Sequence, residues 1–394
     1  MSINLSQRVQ AVKPSPTLAI SARASEMRAA GKDIIGLGVG EPDFNTPDHI
    51  SEAAIQAIHD GKTRYTAVDG TPELKQAVID KFKRDNGLDY AADQILVSSG
   101  GKQSFYNMAQ ATLDPGDEVI IPAPYWVSYP DMAILAGGIP VYIRAGADQQ
   151  FKMNADQLRG AITDKTRIVV INSPSNPTGM CYSQGELAAL GEVLEQHPNI
   201  IVATDDMYEH ILWEGNKFSN IVMACPQLMD QTLVLNGVSK AYAMTGWRIG
   251  YAGGPAHIIK AMKKVQSQST SNPCSVSQAA AVAALNGPQE CISDMVVHFK
   301  QRHDYVVERL NRMDGIECLE SDGTFYLFPN VQQLIERLDG IADDMDLGEY
   351  LIEKAGVALV PGGAFGLSGH IRISIATSME ILESAMDRIE KITR

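Results

Sequence analysis

The sequence predicts an α/β protein. A large domain would be built on a mostly parallel, doubly wound sheet, with a smaller α+β domain assembled from both chain ends. Three observations carry that expectation. Short apolar, β-branched runs recur through the middle of the chain, and most are continuously apolar rather than alternating, as for strands buried on both faces. Helical patterns lie between them. The C-terminal stretch then changes to a long helical pattern with alternating strands.

Taken in order, residues 1–47 read as an arm and an entry strand (Asp33–Val39) that joins the smaller domain. Residues 48–290 read as the large domain. Thr71 and Pro72 suit the N-cap and first position of a helix, Leu74, Val78 and Phe82 recur along one face, and Gly87 stops it. The strand candidates are Gln94–Val97, Glu118–Ile121, Pro140–Ile143, Arg167–Ile171, Ile200–Ala203, Thr232–Leu235 and Ile249–Ala252. Residues 291–394 read as the small domain, with a helical pattern over Val296–Met313 and alternating strands near Phe325–Phe328 and Ile371–Ile375. A closing helix follows, with Thr377 and Glu380 as a capping box and Ile381, Ala385 and Ile389 on its inner face.

The 394 residues allow two or three domains at about 150 residues each. Lys and Arg total 33 against 47 Asp and Glu, a net charge of −14. That field repels phosphate backbones and argues against general nucleic-acid binding. An anionic substrate would need cations concentrated locally. Cys181, Cys225, Cys274, Cys291 and Cys318 have no paired short spacing and read as buried, reduced thiols. The longest apolar runs are strand-length, and the N-terminus lacks a basic-then-apolar pattern, so a cytoplasmic protein is expected.

Three motifs fail on inspection. Gly36-Leu-Gly38-Val-Gly40 follows a strand, but Pro42 and Pro47 keep a helix from opening, so no pyrophosphate cradle forms. Gly61-Lys62-Thr63 lacks the earlier P-loop glycine; Gln56 stands there. Ser99-x-x-Lys102 has none of its companion motifs. The histidines show no metal-ligand spacing, and no metal site is expected.

Ligands of doubly wound sheets bind beyond the carboxyl ends of the strands. Those ends carry Gly100-Gly101-Lys102, Asn172 through Asn176-Pro-Thr-Gly179, Asp205-x-x-Tyr208, and Ser239-Lys240 with Arg248 beyond. Each has a plain reading: a tight turn, a helix cap, a solvated lysine. Together their chemistries complement one ligand, an aromatic phosphate ester with a ring nitrogen, a phenolic oxygen and an aldehyde. That ligand would be pyridoxal 5′-phosphate.

Asn236-Gly-Val-Ser-Lys240-Ala-Tyr-Ala-Met-Thr-Gly-Trp-Arg248-Ile-Gly closely resembles the lysine motif of class I pyridoxal-phosphate-dependent aminotransferases. Asn176-Pro-Thr-Gly179, Asp205-x-x-Tyr208, Tyr65-x-x-x-x-Gly70 and Arg372-Ile-Ser follow in the family's order. The resemblance spans arm to last helix. It is closest to bacterial aspartate aminotransferases, which share Val12-Lys-Pro-Ser15, Gly40-Glu-Pro-Asp-Phe44 and Pro124-Tyr-Trp126-Val-Ser-Tyr129.

The resemblance implies amino transfer from aspartate to 2-oxoglutarate in a ping-pong cycle, with prephenate, aromatic or alanine aminotransferase activity as the alternatives. Lys240 would carry the cofactor through its amine and move the substrate's α-proton. Asp205 would pair with the ring nitrogen, while Tyr208 and Asn176 face the phenolic oxygen. Trp126 would stack on the ring, although an aromatic after a proline turn also suits a core. Gly100, Gly101, Lys102 and the helix start beyond them, with Arg248, would cup the phosphate. Many relatives place a serine where Gly237 stands, leaving open whether Ser239 compensates. Tyr65 would reach the phosphate of a neighbouring subunit, implying a homodimer with shared sites. Arg372 would grip the substrate α-carboxylate beside Gly40, against the plain reading of an outward, solvated arginine. Lys102 and Ser15 would hold the second carboxylate.

Overall fold

A computed structural model describes residues 3–394; the first two residues of the predicted arm lie outside the described residues. A seven-stranded sheet forms the centre. Its strands are β1 (Ile95–Ser98), β2 (Glu118–Ala123), β3 (Ile139–Arg144), β4 (Thr166–Asn172), β5 (Ile201–Asp205), β6 (Thr232–Gly237) and β7 (Gly250–Gly253). Each overlaps one predicted run. The spatial order is β1-β7-β6-β5-β4-β2-β3, parallel throughout except for β7, which runs antiparallel to both neighbours. Successive residues of one strand enter two different cores. Val169 and Ile171 join one apolar cluster, while Ile168 and Val170 join another across the sheet. Helices cover both faces, which is why the runs are continuously apolar.

The helix at Pro72–Lys81 is capped by the Thr71 side chain, which accepts from the Leu74 N–H, and its last turn ends at left-handed Gly87. The N-terminal strand Ile35–Gly36 pairs in parallel with Val357–Ala358, tying the arm to the C-terminal part of the chain. A three-stranded antiparallel sheet follows the order Val360–Pro361, Ile371–Ser374, Tyr326–Leu327. It packs under helices Glu290–Leu310 and Met379–Thr393 in a further apolar cluster that also takes in Leu37.

Several expectations need correction here. The long helix runs Glu290–Leu310 rather than Val296–Met313. The strand near Phe325–Phe328 is only Tyr326–Leu327. The closing helix is capped by Ser378, whose side chain accepts from the Ile381 N–H, and not by a Thr377–Glu380 box. One position of slip turns the inner face to Leu382, Ala385, Met386 and Ile389, leaving Ile381 42% exposed. Cys225 and Cys318 are buried, but Cys181 and Cys291 are only partly so and Cys274 is exposed at a helix start. Among the described residues, no helix is long and apolar enough to cross a membrane.

Candidate active site

The carboxyl ends of β4, β5 and β6 open into a cavity of about 310 Å³. Its lining includes Ser15, Gly40, Gly101, Lys102, Trp126, Asn176, Asp205, Tyr208, Ser239, Lys240, Arg248 and Arg372. Gly100 lies just behind it, beneath Arg248. A β-carbon at Gly100 would overlap the Arg248 guanidinium, and its φ of +94° further favours glycine. Tyr65 is not brought here: it is 92% exposed and lies with helices Asp48–His59 and Ser275–Asn286 elsewhere on the surface.

Asp205 ends β5 beside Asn172 at the end of β4. The Tyr129 hydroxyl donates to Asp205 Oδ2 at 2.5 Å, and the Met207 N–H donates to its other oxygen. Burial pushes the Asp205 carboxyl up, against Tyr129, the Met207 N–H and Lys240, which pull it down. Asn172 fixes the next loop by donating to the Asp205 carbonyl and accepting from the Asn176 N–H. Asn176 Oδ1 in turn accepts from Arg372 Nη1 at 2.8 Å, leaving its amide N–H groups to the cavity.

Lys240 follows β6 and donates from Nζ to the Gly40 carbonyl at 2.7 Å. Desolvation lowers its pKa to about 8, helped by Arg372 and Arg248 and opposed by Glu41 and Asp205. The amine is therefore neutral part of the time near neutral pH, as a nucleophile requires. Arg248, at φ +56°, donates from Nη1 to the Thr245 carbonyl and from Nη2 to the Ser99 carbonyl, which brings it over the start of helix Gly101–Thr112. The first N–H groups of a helix have no intrahelical acceptor, so this corner is built for an anion.

Arg372 is 2% exposed, flanked by Ile371 and Ile373, which are also buried. The outward, solvated reading of Arg372 is overturned, because its strand is central to the three-stranded sheet and covered on both faces. Its guanidinium lies between the rings of Tyr326 and Phe365, 4.5 and 4.9 Å from their centroids. Nη2 donates to the Gly38 carbonyl at 2.6 Å, and Nε is buried with no hydrogen-bond partner among the described residues. Lys102 Nζ sits 5.2 Å from the Trp126 ring centroid, its pKa lowered by burial and by Arg248. Ser15 lines the mouth while capping helix Pro16–Ala29. At Gly237 a β-carbon would lie 3.0 Å from the Ile249 carbonyl oxygen, so a side chain fits poorly, whereas Ser239 lines the cavity.

In an acidic chain, this cavity is lined by four cationic side chains and one carboxylate, Asp205. The family profile "Aminotransferase class I and II" matches residues 32–389. The chain belongs to this family. The class I aminotransferases use pyridoxal phosphate, and the donor set fits it. Among the described residues the buried Asp205 carboxylate has no ion pair, Lys240 with its lowered pKa stands nearby, and cations with a helix start stand to one side.

This aminotransferase is 58% identical over 395 residues, spanning 99% of this chain and 100% of the relative, to the aspartate/prephenate aminotransferase of Nitrosomonas europaea. The solved aspartate aminotransferase of Rhizobium meliloti superposes with a TM-score of 0.97 at 49% identity, covering 100% of this chain and 99% of that one. The Thermus thermophilus aspartate aminotransferase solved with maleate gives 0.92 at 43% identity, with 99% and 100% covered.

Tyr129 and Tyr326 are among the lining residues to which the sequence alone assigns no role. Tyr129 sits inside the quoted Pro124–Tyr129 motif, and Tyr326 inside the Phe325–Phe328 run, where an aromatic residue reads as core.

Proposed function

We propose that this aminotransferase passes the amino group of aspartate to 2-oxoglutarate in a ping-pong cycle. The observation that supports this most is the convergence of Lys240, Asp205 and Arg372 on one cationic cavity. Bound pyridoxal phosphate supplies an electron sink for negative charge at the substrate's α-carbon. Lys240 would hold the cofactor covalently, and its Nζ, once displaced by the substrate's amine, would be free to move the proton between the substrate's α-carbon and the cofactor's aldehyde carbon. Asp205 gains its missing counter-charge from the cofactor's ring nitrogen. Tyr208 and the amide of Asn176 donate to the phenolic oxygen, and Trp126 covers the ring. Arg248, Gly100, Gly101, Ser239 and the helix start at Lys102 hold the phosphate.

Arg372 takes the α-carboxylate with its guanidinium fork, and Gly40 lets the substrate come close. Lys102 and Ser15 hold the second carboxylate. Tyr65 serves the site of a partner subunit, which makes the working unit a homodimer, and the protein acts in the cytoplasm. Residues 48–290 form the cofactor domain, and residues 1–47 and 291–394 form the smaller one.

Prephenate as a further amino acceptor is a second reading, favoured by the name of the Nitrosomonas relative. A panel of amino and oxo acids in half-reactions, read by the cofactor's visible absorbance, tests both. Aspartate and 2-oxoglutarate should react fastest; alanine or phenylalanine outpacing aspartate would contradict the proposal.

A further inference from the structure

We propose that Tyr326 is a positioning residue that couples the carboxylate-binding arginine to the tyrosine facing the cofactor, using its ring for one and its hydroxyl for the other. The inference rests on the roles proposed above for Arg372 and Tyr208.

Tyr326 begins the strand Tyr326–Leu327, which pairs with the Arg372 strand through Ser374 and Ile373. It is 1% exposed, so its ring has little freedom. The Arg372 guanidinium lies over that ring at 4.5 Å. A cation held against a desolvated aromatic face is attracted to it, and a flat ring also fixes the plane of the guanidinium fork. Arg372 Nη1 and Nη2 each donate once, to Asn176 Oδ1 and to the Gly38 carbonyl, and the Tyr326 ring, with Phe365 on the other side, holds the plane of the fork.

The hydroxyl does a different job. It lies 3.0 Å from the Tyr208 hydroxyl, its only hydrogen-bond partner among the described residues. Burial pushes both phenols above the ordinary tyrosine value, so both keep their protons. Either hydroxyl could donate to the other. With Tyr208 facing the cofactor's phenolic oxygen, as proposed above, its proton goes to that oxygen, and Tyr326 is left to donate to Tyr208. Gly40 completes the arrangement. A β-carbon there would overlap the Tyr326 hydroxyl, and the Gly40 carbonyl is the acceptor for Lys240 Nζ. Gly40 therefore makes room for Tyr326 as well as for a substrate.

Two substitutions separate the two jobs. Tyr326→Phe keeps the ring and removes the hydroxyl. Maleate, a dicarboxylate that cannot transfer an amino group, should bind within about twofold of the parent by calorimetry. The pH midpoint of the bound cofactor's visible absorbance should rise, because Tyr208 without its partner donates less strongly. In a Tyr208→Phe background the same change should leave that midpoint where it is, since coupled groups are not additive. Tyr326→Leu removes the ring as well, and maleate affinity should fall about tenfold. Should Tyr326→Leu fail to fold by circular dichroism, Tyr326→Met tests the same loss with a better-filled core.

An unmoved midpoint in Tyr326→Phe, or an equal shift with and without the Tyr208 hydroxyl, overturns the hydroxyl's role. Unchanged maleate affinity in the folded Leu or Met variant overturns the ring's role. If the parent itself neither binds maleate nor turns over aspartate, the functional reading fails instead, and the two failures are told apart.

Discussion

Lys81 and Lys240 both bring an amine out of bulk water close behind the same strand ends, and the chain treats them in opposite ways. Lys81 is 1% exposed, with its ammonium on the Glu209 carboxylate and a hydrogen bond to Asn86 at 2.8 Å. Glu209 also accepts from Asn86 and Asn236, and burial, which would raise its pKa, is outweighed by Lys81, His210 and Asn86. Asp85, Glu209 and His210 bring ligand-type atoms within 4.8 Å of one another, and the Lys81 ammonium supplies the positive charge there. Lys240, by contrast, has no carboxylate within ion-pair distance among the described residues: its amine donates to a carbonyl oxygen, and desolvation lowers its pKa to about 8 against the more distant Glu41 and Asp205. A lysine withdrawn from water with a carboxylate is a strut; one withdrawn without a carboxylate is a nucleophile. The two are linked along the chain. Glu209 directly follows Tyr208, and Asn236 opens the segment that ends in Lys240, so the sealed network holds both loops of the cavity.

The sharpest way to break this contrast is to remove each amine. Lys240→Ala should abolish covalent cofactor binding and turnover while leaving the unfolding midpoint in urea nearly unchanged. Glu209→Gln should act first on stability and leave Lys240 able to capture the cofactor covalently. It strands the Lys81 ammonium and costs about 3–5 kcal/mol of stability. The double variant Lys81→Met/Glu209→Gln should recover much of that loss, as read by the same urea titration.

Arg372→Leu should weaken binding of every amino acid about tenfold to a hundredfold, whatever its side chain, because a carboxylate loses a charged hydrogen bond; a panel of KM values reads this. The pH dependence comes next. The folded pKa of Lys240, about 8, lies below the ordinary 10.5. The unfolded chain thus binds more protons between those values, and the apoprotein should gain stability as pH rises across that window. Covalent capture of added pyridoxal phosphate should quicken about tenfold per pH unit below that value and then level off, as followed by stopped-flow absorbance. The smallest effect belongs to Lys102→Leu, which should weaken aspartate about fivefold and alanine hardly at all; equal losses would remove its part in specificity.

The sheet was legible because burial on both faces writes itself into each run: Ile168–Ile171 needs no partner to be recognised. The strands Tyr326–Leu327 and Val360–Pro361 are too short to show any period, and their pairing depends on residues far along the chain. The cavity was legible where a polar group stands directly after a strand, as at Asp205 and Lys240. It was illegible where the chemistry hides inside an apolar pattern. Tyr129 and Tyr326 look like core aromatics, and only the fold shows their hydroxyls on Asp205 and Tyr208. Arg372 read equally as a surface residue, since burial on both faces of a four-residue strand comes from packing that the local sequence does not record.

The central claim is that the lysine left without a carboxylate is the one that carries the cofactor. Borohydride reduction of the cofactor-loaded protein, followed by peptide mapping, tests it directly. The label should sit on Lys240 alone, in the peptide that reads Gly-Val-Ser-Lys-Ala-Tyr. A label on Lys102, on Lys81 or spread over surface lysines would contradict it.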